Sequence, residues 1–188
     1  MKKTVITIFL FLGIVICLHA QKKPGFSSQN YVGFVAGKTD VHLQLQTING
    51  LKWKSWFGGI GAGIDWYYLR SIPVFASVNR SFLQKGKRSL LLSADAGINF
   101  PWRGNIYYDF PPYDHKQYSG LYCAGGVGYK FGVGKADNAI LMQLGYSFKR
   151  LGEKTTSVYY CLTPPCPENI ERFDYRLNRV SFRLGWGF

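Results

Sequence analysis

Long hydrophobic runs, acidic residues and the side chains on which catalysis and metal binding usually rest are all scarce in this sequence, and each shortage excludes something. Apart from one stretch near the start, no window approaches the roughly 20 apolar residues that a spanning helix needs, although 47% of the 188 residues are hydrophobic and 17% are aromatic. Mean hydropathy is −0.06, so polar and apolar residues must be finely interleaved. Only 10 residues are acidic against 23 basic, a net charge of +13. That balance suits nucleic acid, but the basic residues are scattered singly, with Lys85, Lys87 and Arg88 as the one loose cluster. Scattered cations fit contacts with anionic lipid head groups better. Glycine is plentiful, yet neither Gly58 to Gly63 nor Gly125 to Gly128 has the G-x-G-x-x-G spacing before a helix pattern, so no phosphate-binding loop is expected.

The single apolar stretch runs from Val5 to Leu18, behind Lys2 and Lys3 and ahead of Ala20. A charged start, a short apolar centre and a small residue before a polar segment describe a secretory signal peptide. Residues 1–20 are therefore expected to be removed, leaving an exported domain over 21–188. Ile16 precedes Cys17 where lipoprotein processing wants a small residue, which argues against lipid attachment. Export also argues against a nucleic-acid partner.

Beyond the leader, the sequence follows a period of two. From Arg179 to Phe188 one line reads Val180, Phe182, Leu184, Trp186, Phe188 and the other Arg179, Ser181, Arg183, Gly185, Gly187. The same alternation places Trp56, Ile60, Ile64 and Trp66 on one face, Ile72, Val74, Ala76 and Val78 on another, and likewise Leu90 to Phe100, Leu121 to Phe131 and Ile140 to Phe148. A tryptophan at each end of the Trp56 to Trp66 face suits anchoring at two membrane interfaces. Asn49-Gly50 is a strong hairpin signal, but the alternation from Val41 to Trp53 passes through it with unchanged parity, which favours one strand over a tight turn. Arg80 breaks the apolar face of its segment and puts the register there in doubt.

These segments exceed the five or so residues typical of globular strands and match the roughly 9 to 11 that cross a bilayer when tilted. Eight are expected, with cores near 30–37, 41–53, 56–67, 72–83, 89–100, 119–132, 138–150 and 175–188. Both long connections, 101–118 and 151–174, fall at the same end of an up-and-down array. Short turns at one end and long loops at the other mark a membrane barrel. The faces opposite the apolar ones hold glycine and serine with Asp65, Asp95, Lys130, Lys149, Arg179 and Arg183, side chains that suit a narrow, packed lumen closed by internal ion pairs. An open sheet edge in hydrocarbon would leave backbone groups unpaired, so the first strand must meet the last. The expected fold is all-β, an eight-stranded antiparallel up-and-down transmembrane β-barrel without a cofactor.

Thr47-Ile48-Asn49-Gly50-Leu51, Gly59 to Asp65, Ile72-Pro73-Val74-Phe75, Ser93 to Gly97 and the final Phe182 to Phe188 together resemble the small Gram-negative outer-membrane β-barrel proteins. The likeness covers the chain from about Asn30 onward. It implies the outer membrane as location and its lipid as surroundings, with Trp186 and Phe188 as the signal read by the barrel-insertion machinery. It implies no catalytic residues.

Remaining chemistry lies in the two long connections. Cys161 and Cys166 are close in sequence, and in an oxidising compartment a disulfide is favoured over two free thiols. Cys123, on a lipid face, reads as a small hydrophobe. Trp102, Tyr107, Tyr108 and Tyr113, with Phe173 from the other connection, either contact a glycan or protein or pack together over the barrel mouth. His42, on the lumen side, and His115, in a loop, are the histidines beyond the leader, and no serine is tied to either by spacing. The expected role is therefore non-enzymatic, in envelope structure or surface interaction, with an envelope protein as a candidate partner. The rivals are a secretion or assembly complex component, a narrow channel and a lipid A-modifying barrel enzyme.

Overall fold

The computed structural model describes residues 24–38, 40–102, 106–109, 112–134, 138–158 and 167–188. The leader and the Cys161–Cys166 pair lie outside these described residues. Ten strands follow one another: β1 Gly25–Ala36, β2 Val41–Trp53, β3 Trp56–Asp65, β4 Ser71–Lys85, β5 Arg88–Pro101, β6 Ile106–Asp109, β7 Pro112–Tyr118, β8 Gly120–Gly132, β9 Ala139–Val158 and β10 Glu168–Gly187. Eight of them close a ring in the order β10, β1, β2, β3, β4, β5, β8, β9 and back to β10, every neighbour antiparallel. At the seam, Ser28 and Phe188 exchange two backbone hydrogen bonds of 2.8 and 3.0 Å. The final residue thus helps to join the ends of the sheet, which removes the open edge that hydrocarbon would penalise.

The period of two decides which face meets which medium. Leu144 is 56% exposed and Ile60 70%, whereas Lys149 is fully buried and Arg179 1% exposed. This is a soluble core turned inside out, with an apolar belt far larger than the patches soluble monomers expose. β2 runs unbroken through Asn49-Gly50, as the parity argued. The Arg80 register also holds: Arg80 does point outward, and its guanidinium lies 5.0 Å from the Trp56 ring centre near the end with the short turns. A cation–π contact with a stem along the belt lets a charge sit at that depth.

Three expectations need correction. The count of eight describes the ring but not the sheet, because the two long connections carry strands. β9 and β10 each run 20 residues and stay paired to Val158 and Glu168, and β6 and β7 form a hairpin that adds to the far part of β9. These extensions escaped the pattern because Lys154, Thr155, Thr156 and Ser157 are polar on both faces; alternation in hydrophobicity appears only where the two faces meet media of different polarity. β1 starts at Gly25 rather than Asn30. β3 ends at Asp65, so Trp66 sits just past the strand and is half-buried, while Trp56 faces outward.

Short turns close the other end. β2 and β3 are joined by Lys54-Ser55, with Lys54 at φ 55°, and β4 and β5 by Gly86-Lys87, with Gly86 at φ 62°. The positive φ suits glycine at 86 and is uncommon at lysine.

Candidate functional site

The lumen is the first place to look, and side chains fill it. Arg183 of β10 donates to Gln46 of β2 at 2.6 Å and to Asp95 of β5 at 3.2 Å, and Gln46 donates to Tyr122 of β8 at 2.9 Å. Ser77 of β4 donates to Asp95 at 2.6 Å, and Gln143 of β9 reaches the Tyr31 hydroxyl of β1 at 3.2 Å. Tyr31 and Asn79 both donate to Gln29, each at 2.9 Å, and the Arg183 guanidinium stacks 5.4 Å from the Tyr31 ring centre. Seven of the eight ring strands contribute to this layer. Tyr31, Ile48, Phe57, Phe75, Leu91, Tyr122 and Leu141 pack around it as an apolar filling. Small residues make the room: a Cβ on Gly61 would come within 2.6 Å of the Phe75 ring, and one on Gly185 would strike Tyr31.

Towards the end with the long strands, Asp65 accepts an ion-paired hydrogen bond from Arg179 and has Lys149 Nζ at 3.4 Å. Arg179 also donates to Ser147 at 2.7 Å, and Lys149 donates to Ser71 at 2.9 Å and to the Tyr67 and Leu69 carbonyls at 2.9 and 3.0 Å. Among the described residues one carboxylate therefore faces two buried cations, with hydroxyls and carbonyls accepting further hydrogen bonds from Lys149 Nζ and Arg179 Nη2. The internal ion pairs expected from the sequence are present, and they form two stacked layers across the bore. At the short-turn end the lumen opens into a hollow of about 1030 Å³ whose border includes Lys52, Lys54, Lys87, Arg88 and Lys130.

The second place is the sheet beyond the ring. His115 Nε2 lies 2.6 Å from Glu153 Oε1, and His115 Nδ1 lies 3.3 Å from Thr155 Oγ1. Tyr175 donates to the other Glu153 oxygen at 2.9 Å and packs against Tyr68, their ring centres 4.9 Å apart. Burial first, then hydrogen bonds with Tyr68 and Glu153, push the Tyr175 phenol well above its ordinary value, so it remains a donor. His115 is thus on a strand and not in a loop, and a hydroxyl is tied to it, though a threonine's from a strand 40 residues away. Sequence spacing carries no signal for such a contact. His42 packs edge-on to Tyr67 at 5.7 Å.

The aromatic candidates divide. Trp102 is exposed, with Arg70 at 5.7 Å from its ring centre. Tyr107 and Tyr108 lie on β6 and Tyr113 on β7, in a hairpin with Tyr108 opposite Tyr113. Phe173 stacks on Tyr175 at 6.1 Å. Trp186 and Phe188 face outward at the short-turn end, and Cys123 is a half-buried free thiol on the belt. Among the described residues no three His, Cys, Asp or Glu side chains converge.

No family model and no curated protein matches the sequence. Solved structures do. Neisserial surface protein A superposes with a TM-score of 0.54 at 7% identity, over 88% of this chain and 98% of its own. A major outer membrane protein from Thermus thermophilus superposes with a TM-score of 0.51 at 10% identity, over 87% and 99%. At such identities the likeness is one of fold. Belt, closed ring and superposition together make this chain an integral membrane protein with the fold of the small outer-membrane β-barrels.

Proposed function

We propose that the chain is a non-enzymatic outer-membrane protein that serves the cell envelope or cell surface through the four-stranded sheet of β6, β7, β9 and β10. Trp186 and Phe188, outward-facing on the closing strand, are the residues the insertion machinery would read. The observation that carries the reading is the plugged bore: Asp65, Lys149 and Arg179 are essentially buried, and so is the layer around Arg183. A lumen closed by two bonded layers does not suit a channel, which leaves the long strands as the part free to act. Purified protein in planar bilayers should give no steady conductance steps. Reproducible single-channel openings would overturn the reading.

A hydrolytic reading has one observation behind it, the Thr155, His115, Glu153 arrangement. Against it, β7 is flanked by β6 and β9, and β9 by β7 and β10, so the amides of His115 and Thr155 sit inside ladders and are poorly placed to hold an oxyanion. Ester and lipid A hydrolysis by the full chain should be unchanged in Thr155→Ala. Activity that disappears with that hydroxyl would make the protein an enzyme.

A further inference from the structure

The outward side of the sheet just beyond the belt holds more positive charge than its own carboxylates answer. β9 and β10 set Arg150 opposite Arg176 and Lys154 opposite Arg172, and β7 sets Lys116 on the other side of Lys154. Residues directly opposite on antiparallel strands point the same way, and like charges so placed repel. Asp174 binds Arg150 through two hydrogen bonds of 2.9 and 2.8 Å and lies 3.8 Å from Arg176, while Asp114 holds Lys116 at 2.9 Å. Among the described residues no carboxylate forms an ion pair with Lys154 or Arg172. Glu153, the nearest in sequence, is on the opposite face with His115.

The depth of this charge is fixed by the ladder. Along the same face, the pairs Leu144 with Phe182 and Tyr146 with Val180 belong to the belt, and the Tyr146 hydroxyl bonds Asn178 at 2.6 Å where polarity changes. Arg150 and Arg176 form the next pair but one, and Lys154 and Arg172 lie four residues further, about 13 Å along the strand. A one-residue bulge between Tyr118 and Tyr122, against Gly152 and Lys149, bends the chain away here. Gly120 sits at that bulge against the Arg150 carbonyl, an approach a Cβ would block. A hollow of about 540 Å³ lies here, bordered by Tyr118, Arg150, Glu153, Lys154, Arg172 and Asp174. Its two acids are already engaged, Asp174 by Arg150 and Glu153 by His115 and Tyr175.

We propose that this hollow binds the phosphorylated head group of an outer-leaflet lipid, with phosphate oxygens on Lys154 and Arg172 and acyl chains continuing down the belt. Surplus cations call for an anion, and planar guanidinium with ammonium is a phosphate-binding pair. Continuity with the belt makes lipid the source. The inference rests on the reading that the long-strand end faces outward.

Native mass spectrometry of the full chain, released from detergent after incubation with diphosphorylated lipid A or its dephosphorylated form, tests it. Wild type should retain the diphosphorylated probe in preference. Lys154→Ala combined with Arg172→Ala should weaken retention roughly 30-fold, as expected for two cations near anionic head groups. Arg80→Ala, at the opposite end, should leave it unchanged. The double variant removes a repulsive pair, so its heat-modifiable migration in detergent gels should persist. Equal retention by the double variant, or of the dephosphorylated probe, would overturn the site. Displacement by millimolar inorganic phosphate would overturn the lipid assignment in favour of a soluble anion. Antibody binding on intact cells to a tag in the β9–β10 connection separates the two readings. A surface-exposed tag without lipid retention sinks the site alone, and a tag hidden from outside sinks the orientation as well.

Discussion

Asp65 is the residue on which the outer layer of the bore depends, because among the described residues it is the one carboxylate paired with Arg179 and Lys149, and all three are buried. Removing one partner of a buried pair leaves an uncompensated charge and costs about 3 to 5 kcal/mol. Asp65→Asn should lower the urea midpoint of refolded protein accordingly, and an unchanged midpoint would mean the cations are satisfied elsewhere. Asp174 behaves differently, being exposed. Hydrogen bonds from Arg150 hold its carboxyl below the usual carboxylate range. A depressed folded-state pKa stabilises above the unfolded value and loses that contribution as pH falls through the folded one. Amide protection factors in the far part of the β9–β10 ladder, taken relative to intrinsic exchange at each pH, should therefore be unaffected by this group near neutrality and fall in acid below the usual aspartate range. Asp174→Asn should show no such step, and high salt should shrink it. Asp65, Asp95, Lys149, Arg179 and Arg183 were legible in the sequence as lumen residues, because each sits opposite an apolar line. Their partners were not, since Arg183 meets Gln46 from 137 positions away and only closure of the ring sets that distance.

At the scale of the strand, the apolar line is both the signal and the anchor. Leu144 lies in the middle of the belt portion of β9, opposite Val127 on one side and Phe182 on the other, and points outward. Leu144→Arg should cost about 2 to 4 kcal/mol if that position is near mid-bilayer. Equilibrium unfolding from lipid vesicles measures it, and a loss well under 1 kcal/mol would displace Leu144 from the bilayer interior. The strands seen clearly in the sequence were those with such a line. β6, β7 and the far halves of β9 and β10 were read as loops because they are held by backbone pairing and cross-strand polar contacts, which leave no periodic trace in composition. The same blindness hid the Thr155, His115, Glu153 contact and the opposed cations at Lys154 and Arg172, both of which arise from cross-strand register.

For the molecule as a whole, closure is the property with the plainest readout. A ring with no free edge, joined at Ser28 and Phe188, should resist detergent until heated. Boiled and unboiled samples should migrate differently in detergent gels, and identical mobility would argue against a closed barrel. The sequence by itself determined the strand period, the side of each strand that meets lipid, the number of strands in the ring and the end at which the long connections fall, because all four follow from transfer of alternate side chains between hydrocarbon and a polar interior. Only the tertiary structure decided that the long connections pair into a sheet, that Asp65 serves both Arg179 and Lys149, and that a hollow carrying Lys154 and Arg172 forms beside the bulge at Gly120. Those depend on which residues the register brings face to face, and register is a relation between strands that no single strand's pattern contains.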